Sequence, residues 1–306
     1  MAQETIDQET MDLLTMPPAT MARETPAQTT MAETTSARVV VVTSGKGGVG
    51  KTTSTAALGA ALAQQGEKVV VIDFDVGLRN LDLVLGAERR VVFDLINVIH
   101  GVAKLPQALI RDKRLENLFL LPASQTRDKD ALTDDGVANV IAELRRKFDW
   151  IICDSPAGIE RGATLAMRHA DAAIIVTNPE VSSVRDSDRI IGLLDSKTAK
   201  AERGERVEKH LLITRYHPGR AARGEMLSID DVLEILSTPL LGIIPESEEV
   251  LRASNVGTPV TLNNALSAPA RAYFDAARRL KGEEIPMLVP SESRGIFNKL
   301  FGRKAA

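Results

Sequence analysis

Residues Gly45 to Thr53, GKGGVGKTT, contain the spacing G-x-x-x-x-G-K-[ST]. That spacing builds a loop for holding phosphate groups. Gly45, Gly47, Gly48 and Gly50 let the backbone turn tightly and approach a ligand, and their N–H groups face an anion together with the start of the following helix. Lys51 should reach the β- and γ-phosphates, and the Thr52 hydroxyl should bind Mg²⁺. The candidate nucleotide-binding set is therefore Gly45, Lys46, Gly47, Gly48, Val49, Gly50, Lys51, Thr52 and Thr53. Lys46 is surplus to this scheme, because a β-phosphate bound in the same subunit needs only one loop lysine.

Three carboxylates belong with this loop. Asp73 and Asp75 are two residues apart at the end of an apolar run, so they point to the same side of an extended chain. Beside a triphosphate, one can hold a metal-bound water and the other can position the attacking water. Asp154 closes Trp150-Ile151-Ile152-Cys153-Asp154, a Walker B pattern whose carboxylate holds Mg²⁺, often through water. ATP and Mg²⁺ are the expected ligands.

The elements that must position these groups alternate between strand and helix. Strand-like runs are Val39–Thr43, Lys68–Phe74, Leu118–Leu121, Trp150–Asp154, Ala172–Thr177, His210–Thr214 and Leu240–Ile244. Most are continuous Val/Ile/Leu runs, the mark of parallel strands covered on both faces. Helical stretches are Lys51–Gln65, Asp135–Phe148, Val181–Ser196, Ile229–Leu236 and Pro269–Lys281. The expected fold class is α/β, a nucleotide-binding phosphate-loop fold with a mostly parallel, doubly wound sheet in one domain at 37–284. Ligands in such sheets bind beyond the carboxyl ends of the strands, where the loop and the three aspartates fall. The strand His210–Thr214 leads into Arg215-Tyr216-His217-Pro218, which should lie near the base.

The chain has 306 residues, a formal charge of −3 and 44% hydrophobic residues. This balance carries no global electrostatic signal for nucleic acid, and no specific nucleic-acid partner is expected. A lone cysteine, Cys153, rules out an intramolecular disulfide and a metal cluster held within one subunit. No apolar run approaches the length of a membrane span. Residues 1–36 are rich in Thr, Glu, Gln, Ala and Met without apolar period, and read as a disordered extension rather than a secretory or transit signal. Met11, Met16, Met21 and Met31 offer alternative starts within it.

The last residues, Ser291–Ala306 (SESRGIFNKLFGRKAA), follow a linker at 285–290 that holds Pro286 and Pro290. Ile296, Phe297, Leu300 and Phe301 share one narrow face of a helix, flanked by Arg294, Lys299, Arg303 and Lys304. A basic amphipathic helix of this kind reads as an interfacial anchor for anionic lipid. Each large apolar side chain contributes roughly 1.5–3 kcal/mol if fully buried, against about 1–2 kcal/mol per residue for ordering the chain. One copy should bind marginally, and two copies in a dimer gain avidity on the order of 10²–10⁴.

GKGGVGKT, with its early lysine, resembles the deviant Walker A loop of the ParA/MinD family of ATPases. FDVGLRNLDLVLGAERR (74–90), LPASQTRDKDALT (121–133), CDSPAGIE (153–160), NPEVSSVRDSDRI (178–190) and TRYHPGR (214–220) resemble the branch that determines the septum site. The likeness runs through 37–281 almost without gaps and returns in the last dozen residues; the N-terminal extension departs from it. It implies an ATP-dependent homodimer in which Lys46 crosses to the partner's nucleotide, so that Lys46, Lys51 and Asp75 are catalytic. It implies that Asp75 orients the water, that Asp73 supports Mg²⁺ or the loop, and that Thr52 and Asp154 serve the metal. It implies that the glycine of DSPAG, Gly158, senses the γ-phosphate. Base contacts fall to Arg215, His217 and Pro218, although the family usually has asparagine where His217 stands. The implied partners are MinC, a division inhibitor, and MinE, which stimulates hydrolysis, with Arg185 and Asp186 on the partner-facing helix. The implied location is the cytoplasm and the cytoplasmic face of the inner membrane. A partition ATPase on nucleoid DNA and a flagellum-placing ATPase are the alternatives. The missing C-x-x-C and the two tyrosines argue against iron–sulfur carriers and bacterial tyrosine kinases.

Overall fold

The computed structural model describes residue 1, residues 36–125 and residues 131–291. The chain divides into residues 1–34 and residues 35–306, and all of the architecture below belongs to the second unit. The extension at 1–36, apart from Met1 and Ser36, lies outside the described residues. So do Ile296, Phe297, Lys299, Leu300, Phe301 and Arg303.

Eight strands form one sheet: β1 (Arg38–Thr43), β2 (Val69–Asp73), β3 (Ile110–Arg111), β4 (Leu118–Leu121), β5 (Trp150–Asp154), β6 (Ala172–Thr177), β7 (Glu208–Tyr216) and β8 (Leu240–Pro245). Their order is β3-β4-β2-β5-β1-β6-β7-β8. Every pairing is parallel except that of β3 with β4. The seven strands expected from apolar runs are present. The two residues of β3 are too few to form a legible pattern, and they pair antiparallel as Ile110 with Leu120 and Arg111 with Phe119.

The unbroken apolar runs have a geometric cause. Successive side chains of a strand face opposite sides. Val39 and Val41 enter one core with Ile72, Ile151 and Cys153, while Val40 and Val42 enter the other with Val71 and Ile152. Both sides are dry, so both parities are apolar along the middle of each central strand, and buried polar residues such as Thr43, Asp73, Asp154 and Thr177 fall at the carboxyl ends. Helices Asp134–Arg145, Val181–Leu194 and Ile229–Leu236 cover the first face. Helices Lys51–Gln64 and Ala268–Leu280 cover the second. Gly59 lets the first of these lie close on β2, since a Cβ there would stand 2.7 Å from Val71 Cγ1.

β1 is central, between β5 and β6, so its carboxyl end meets theirs. The ladder sets Val42 beside Asp154 and Asp73 beside Asp154. Parallel register thus brings together two acids that are far apart in sequence.

Candidate functional site

The phosphate loop joins β1 to the helix Lys51–Gln64. Gly50 precedes that helix at φ 99° and supplies no side-chain cap. The first N–H groups of a helix have no partner within it. Left uncapped here, they face the loop's concavity with the positive end of the helix dipole. Val49 is buried, and its carbonyl accepts a hydrogen bond from Thr214 Oγ1 at 2.7 Å, which ties the loop to the end of β7. Gly45 lies against the backbone of the helix Val181–Leu194. A Cβ at Gly45 would stand 2.6 Å from Asp186 Cβ and nearer still to its carbonyl.

Lys51 is 8% exposed and donates to Ser44 Oγ at 3.0 Å. Burial lowers its pKa, and the carboxylates of Asp154 and Asp75 oppose that shift. Asp154 is buried at the end of β5. Burial pushes its carboxyl up to about 7, against hydrogen bonding by Thr52 and the charge of Lys51. Thr55 also donates to it, at 3.2 Å. Asp73 is buried and raised as well, by desolvation and then by Asp154.

Asp154 and Asp75 thus act on one buried lysine, with Asp73 beside Asp154, and a divalent cation would offset the charge of these carboxylates. The donors are hard oxygens, the Thr52 hydroxyl and the Asp154 carboxylate, as Mg²⁺ prefers. Among the described residues no group of three or more His, Cys, Asp and Glu is arranged to hold a metal. The rest of a Mg²⁺ shell would therefore come from phosphate oxygens and water. Asp73 has a different geometry. Its Oδ1 accepts from Asp75 N–H at 2.8 Å and its Oδ2 from Leu81 N–H at 3.1 Å. Both oxygens hold the loop that carries Asp75, so of its two expected roles the loop-supporting one has direct contacts.

Asp75 is half-buried at the start of that loop. The loop contains Arg79 at φ 47°, ion-paired to buried Asp82 at 2.7 Å. Arg215 has φ 53°. Left-handed backbone in a bulky residue costs energy and gathers at functional sites. Two of the three such residues with a side chain, among those described, flank this centre. Gly158, expected to sense the γ-phosphate, donates its N–H to the Ser44 carbonyl at 3.1 Å.

Lys46 is not near the buried acids. Its Nζ contacts Glu180 Oε2 and Ser182 Oγ, each at 3.0 Å, and its side chain is 39% exposed. In the single chain it rests on the N-terminal turn of the helix Val181–Leu194. Arg185 is exposed on that helix, and Asp186 is half-buried and pairs with Arg189 at 3.7 Å.

A cavity of about 440 Å³ opens beside the loop, lined by Gly50, Thr53, Arg215, Pro245, Val250 and Tyr273 among others. It is apolar, adjoins the phosphate cradle and has the size of a small-ligand site. Of the three residues expected to contact a base, Arg215 lines this cavity. His217 and Pro218 line a different cavity, and His217 Nδ1 accepts from Arg220 N–H to cap the helix Pro218–Ala222. The residues around Pro245 and the helix Glu248–Asn255 escaped sequence reasoning because they form no motif. Their one signal was position, since they follow the carboxyl end of a strand.

The chain is matched over residues 40–260 by the family model of the CobQ/CobB/MinD/ParA nucleotide binding domain. It is 62% identical over 269 residues to the septum site-determining protein MinD of Escherichia coli (strain K12), covering 87% of this chain and 99% of that protein. The MinC:MinD cell division protein complex of Aquifex aeolicus contains a chain that superposes with a TM-score of 0.75 at 42% identity, covering 83% of this chain and all of that one. MinD of Pyrococcus horikoshii complexed with Mg-ADP superposes with a TM-score of 0.71 at 32% identity, covering 80% and 96%. A buried lysine–aspartate centre under a phosphate loop, in a chain alike to these proteins over nearly their whole length, assigns the molecule: it belongs to the MinD family of septum site-determining proteins, within the CobQ/CobB/MinD/ParA nucleotide-binding group.

Proposed function

We propose that this chain is an ATP-driven membrane switch that places the division septum. The observation that carries the reading is the division of labour between two loop lysines. Lys51 is buried among Asp75 and Asp154, and Lys46 is exposed at the rim. Lys51 serves the nucleotide of its own subunit, moving from Ser44 to the β- and γ-phosphates. Lys46 serves the nucleotide of a second copy. An exposed ion pair is worth about 0–1 kcal/mol, so release of Lys46 from Glu180 costs little.

In this reading Thr52 and Asp154 hold Mg²⁺, which neutralises developing phosphate charge when bound. Asp75 orients the attacking water, on a loop kept in place by Asp73. Lys46 of the partner subunit excludes water and adds positive charge to the transferring phosphate. For Gly158 to sense a γ-phosphate, its N–H must leave the Ser44 carbonyl, and Ser44 also accepts from Lys51. Nucleotide would therefore rearrange all three groups together.

Residues 291–306 act as the membrane-targeting helix, joined by the linker 285–290 to the ATPase domain 37–284, with 1–36 as a dispensable extension. Dimerisation pairs two weak anchors, so ATP brings the protein to anionic lipid on the cytoplasmic face of the inner membrane, and hydrolysis releases it. MinC, found with the Aquifex aeolicus relative, would be recruited through the helix bearing Arg185 and Asp186. MinE would stimulate hydrolysis.

Pelleting of the full chain with anionic liposomes tests the switch. Binding is expected with ATP and Mg²⁺ and not with ADP, and it is expected to vanish in F297E/F301E with nucleotide affinity kept. Equal pelleting in ATP and ADP would refute the nucleotide dependence. Persistent pelleting of the double variant would move the anchor elsewhere.

A further inference from the structure

The guanidinium of Arg114, in the turn between β3 and β4, joins three segments that are far apart in sequence. Its Nε and Nη2 donate to the two carboxylate oxygens of Asp112 at 3.1 and 2.8 Å. Nη2 also donates to the Leu85 carbonyl at 2.8 Å. Nη1 donates to the Gly257 carbonyl at 3.1 Å and to Thr258 Oγ1 at 2.8 Å. All five N–H groups of the planar fork are thus used.

Each anchor has its own place in the fold. Asp112 is the fixed point, since it follows β3, its side chain is 7% exposed and its N–H donates to the Leu118 carbonyl of β4 at 2.8 Å. Leu85 ends the short helix Leu81–Val84, which follows the loop that carries Asp75. Asp73 holds both ends of that loop, through the N–H groups of Asp75 and Leu81. Gly257 and Thr258 follow the helix Glu248–Asn255, whose Val250, Leu251 and Ser254 line the cavity beside the phosphate loop. The two segments also touch directly. A Cβ at Gly86 would stand 2.6 Å from the Gly257 carbonyl oxygen, and one at Gly257 would stand 2.7 Å from Gly86 Cα. Buried Leu81 and Leu85 set the depth of the helix Leu81–Val84. Its last carbonyls have no partner within so short a helix. Those of Leu81, Asp82 and Leu83 accept from Leu85, Ala87 and Gly86 N–H in the next turn, and that of Leu85 is taken by Arg114. The guanidinium therefore fixes the end of the helix against both the sheet and the cavity wall.

We propose that Arg114 is a positioning residue for ATP hydrolysis: it clasps the helix after the Asp75 loop to the wall of the cavity beside the phosphate loop, and so holds Asp75 where the attacking water needs it. This rests on the reading of Asp75 as the group that orients the water. Arg114 acts through the backbone of Leu85 and Gly257 rather than on the nucleotide. Lysine cannot take its place, because its donors sit on one nitrogen and cannot span the three anchors as the fork does.

Steady-state hydrolysis of Mg-ATP by the full chain, with calorimetric titration of Mg-ADP, tests the clasp. Arg114→Ala and Arg114→Lys are expected to lower kcat by about 10- to 100-fold, the effect of a small misplacement passed to the reacting groups, with KM and Mg-ADP affinity kept. R114K keeps a cation beside buried Asp112, so it carries the test if R114A folds poorly. Gly86→Ala strikes the same contact from the other side and is expected to lower kcat as well. The double variant R114A/G86A should be no slower than the slower single variant, because both break one contact. Amide exchange at Leu81 and Leu85 should quicken in R114K while that of β1 stays as slow as in the natural chain. Natural kcat in R114K, a loss confined to KM or to Tm, additive effects of the two changes, or unchanged exchange at Leu81 and Leu85 would each overturn the proposal. Asp75→Ala separates it from the reading beneath it. Natural turnover in D75A would overturn that reading and the proposal with it, whereas slow turnover in D75A beside natural turnover in R114K would overturn the proposal alone.

Discussion

Gly45→Ala puts one methyl group where the phosphate loop meets the helix Val181–Leu194. The added Cβ would lie 2.6 Å from Asp186 Cβ, and closer to the Asp186 carbonyl. The obstacle is backbone inside a 14-residue helix, not the tip of a flexible side chain. Something must move, and overpacking of this kind costs about 1–3 kcal/mol. If the loop moves, the cradle opens and nucleotide affinity falls by about 5- to 150-fold, at 1.4 kcal/mol per tenfold. If the helix moves, the cost appears as a lower Tm, at about 2–4 °C per kcal/mol for a domain near this size. Calorimetric titration with Mg-ADP and a thermal melt of the nucleotide-free protein together capture either path. Gly192→Ala is the matched control on the same helix. A Cβ there meets nothing within 4 Å, and alanine is favoured over glycine in a helix by up to about 1 kcal/mol, so its Tm should hold or rise. A G45A protein that binds Mg-ADP as the natural chain does and melts at the same temperature would refute the close-packing argument.

Lys51→Ala removes the buried cation that faces Asp154 and Asp75 and should cost about 1.5–3 kcal/mol or more of nucleotide binding, as for other charged hydrogen bonds. Lys46→Ala should keep most of that affinity and lose ATP-dependent dimers in sedimentation; normal dimers would sink the cross-subunit role. Tyr273→Phe leaves buried Ser54 Oγ without its 3.0 Å partner, a loss of about 1–3 kcal/mol that should appear as a lower melting temperature. An unchanged melt would mean that Ser54 finds another partner. Cys153 is 1% exposed, and burial pushes its thiol up to about 12. It should resist thiol reagents at pH 8 in the folded protein and react on unfolding, and fast labelling of native protein would show that β5 opens to solvent.

Local pattern settles a great deal in this chain. A strand buried on both faces is apolar on both parities through its middle, so seven of the eight strands stand out as mainly apolar runs. The phosphate loop is legible because its function needs glycine, lysine and threonine at set spacing. Asp73 and Asp154 are legible because each ends a strand, and Asp75 because it stands two residues beyond Asp73. The helices Leu95–Ile99, Arg161–Arg168 and Glu248–Asn255 are not legible in the sequence: the first has only five residues, and the other two lack the apolar i, i+3, i+4, i+7 spacing that marks the equally short Ile229–Leu236. What residue type and spacing could not decide was set by strand order. The ladder placing Asp73 beside Asp154 gives Asp73 its buried, loop-holding post. The loop end of β8 meets the phosphate loop across β7, so Pro245 and its neighbours line the cavity beside that loop while His217 turns away to cap a helix. Lys46 likewise rests on Glu180, more than a hundred residues along the chain. Residue type and spacing carry the chemistry of a group, but its partners, its burial and therefore its charge state depend on which distant strands close beside it.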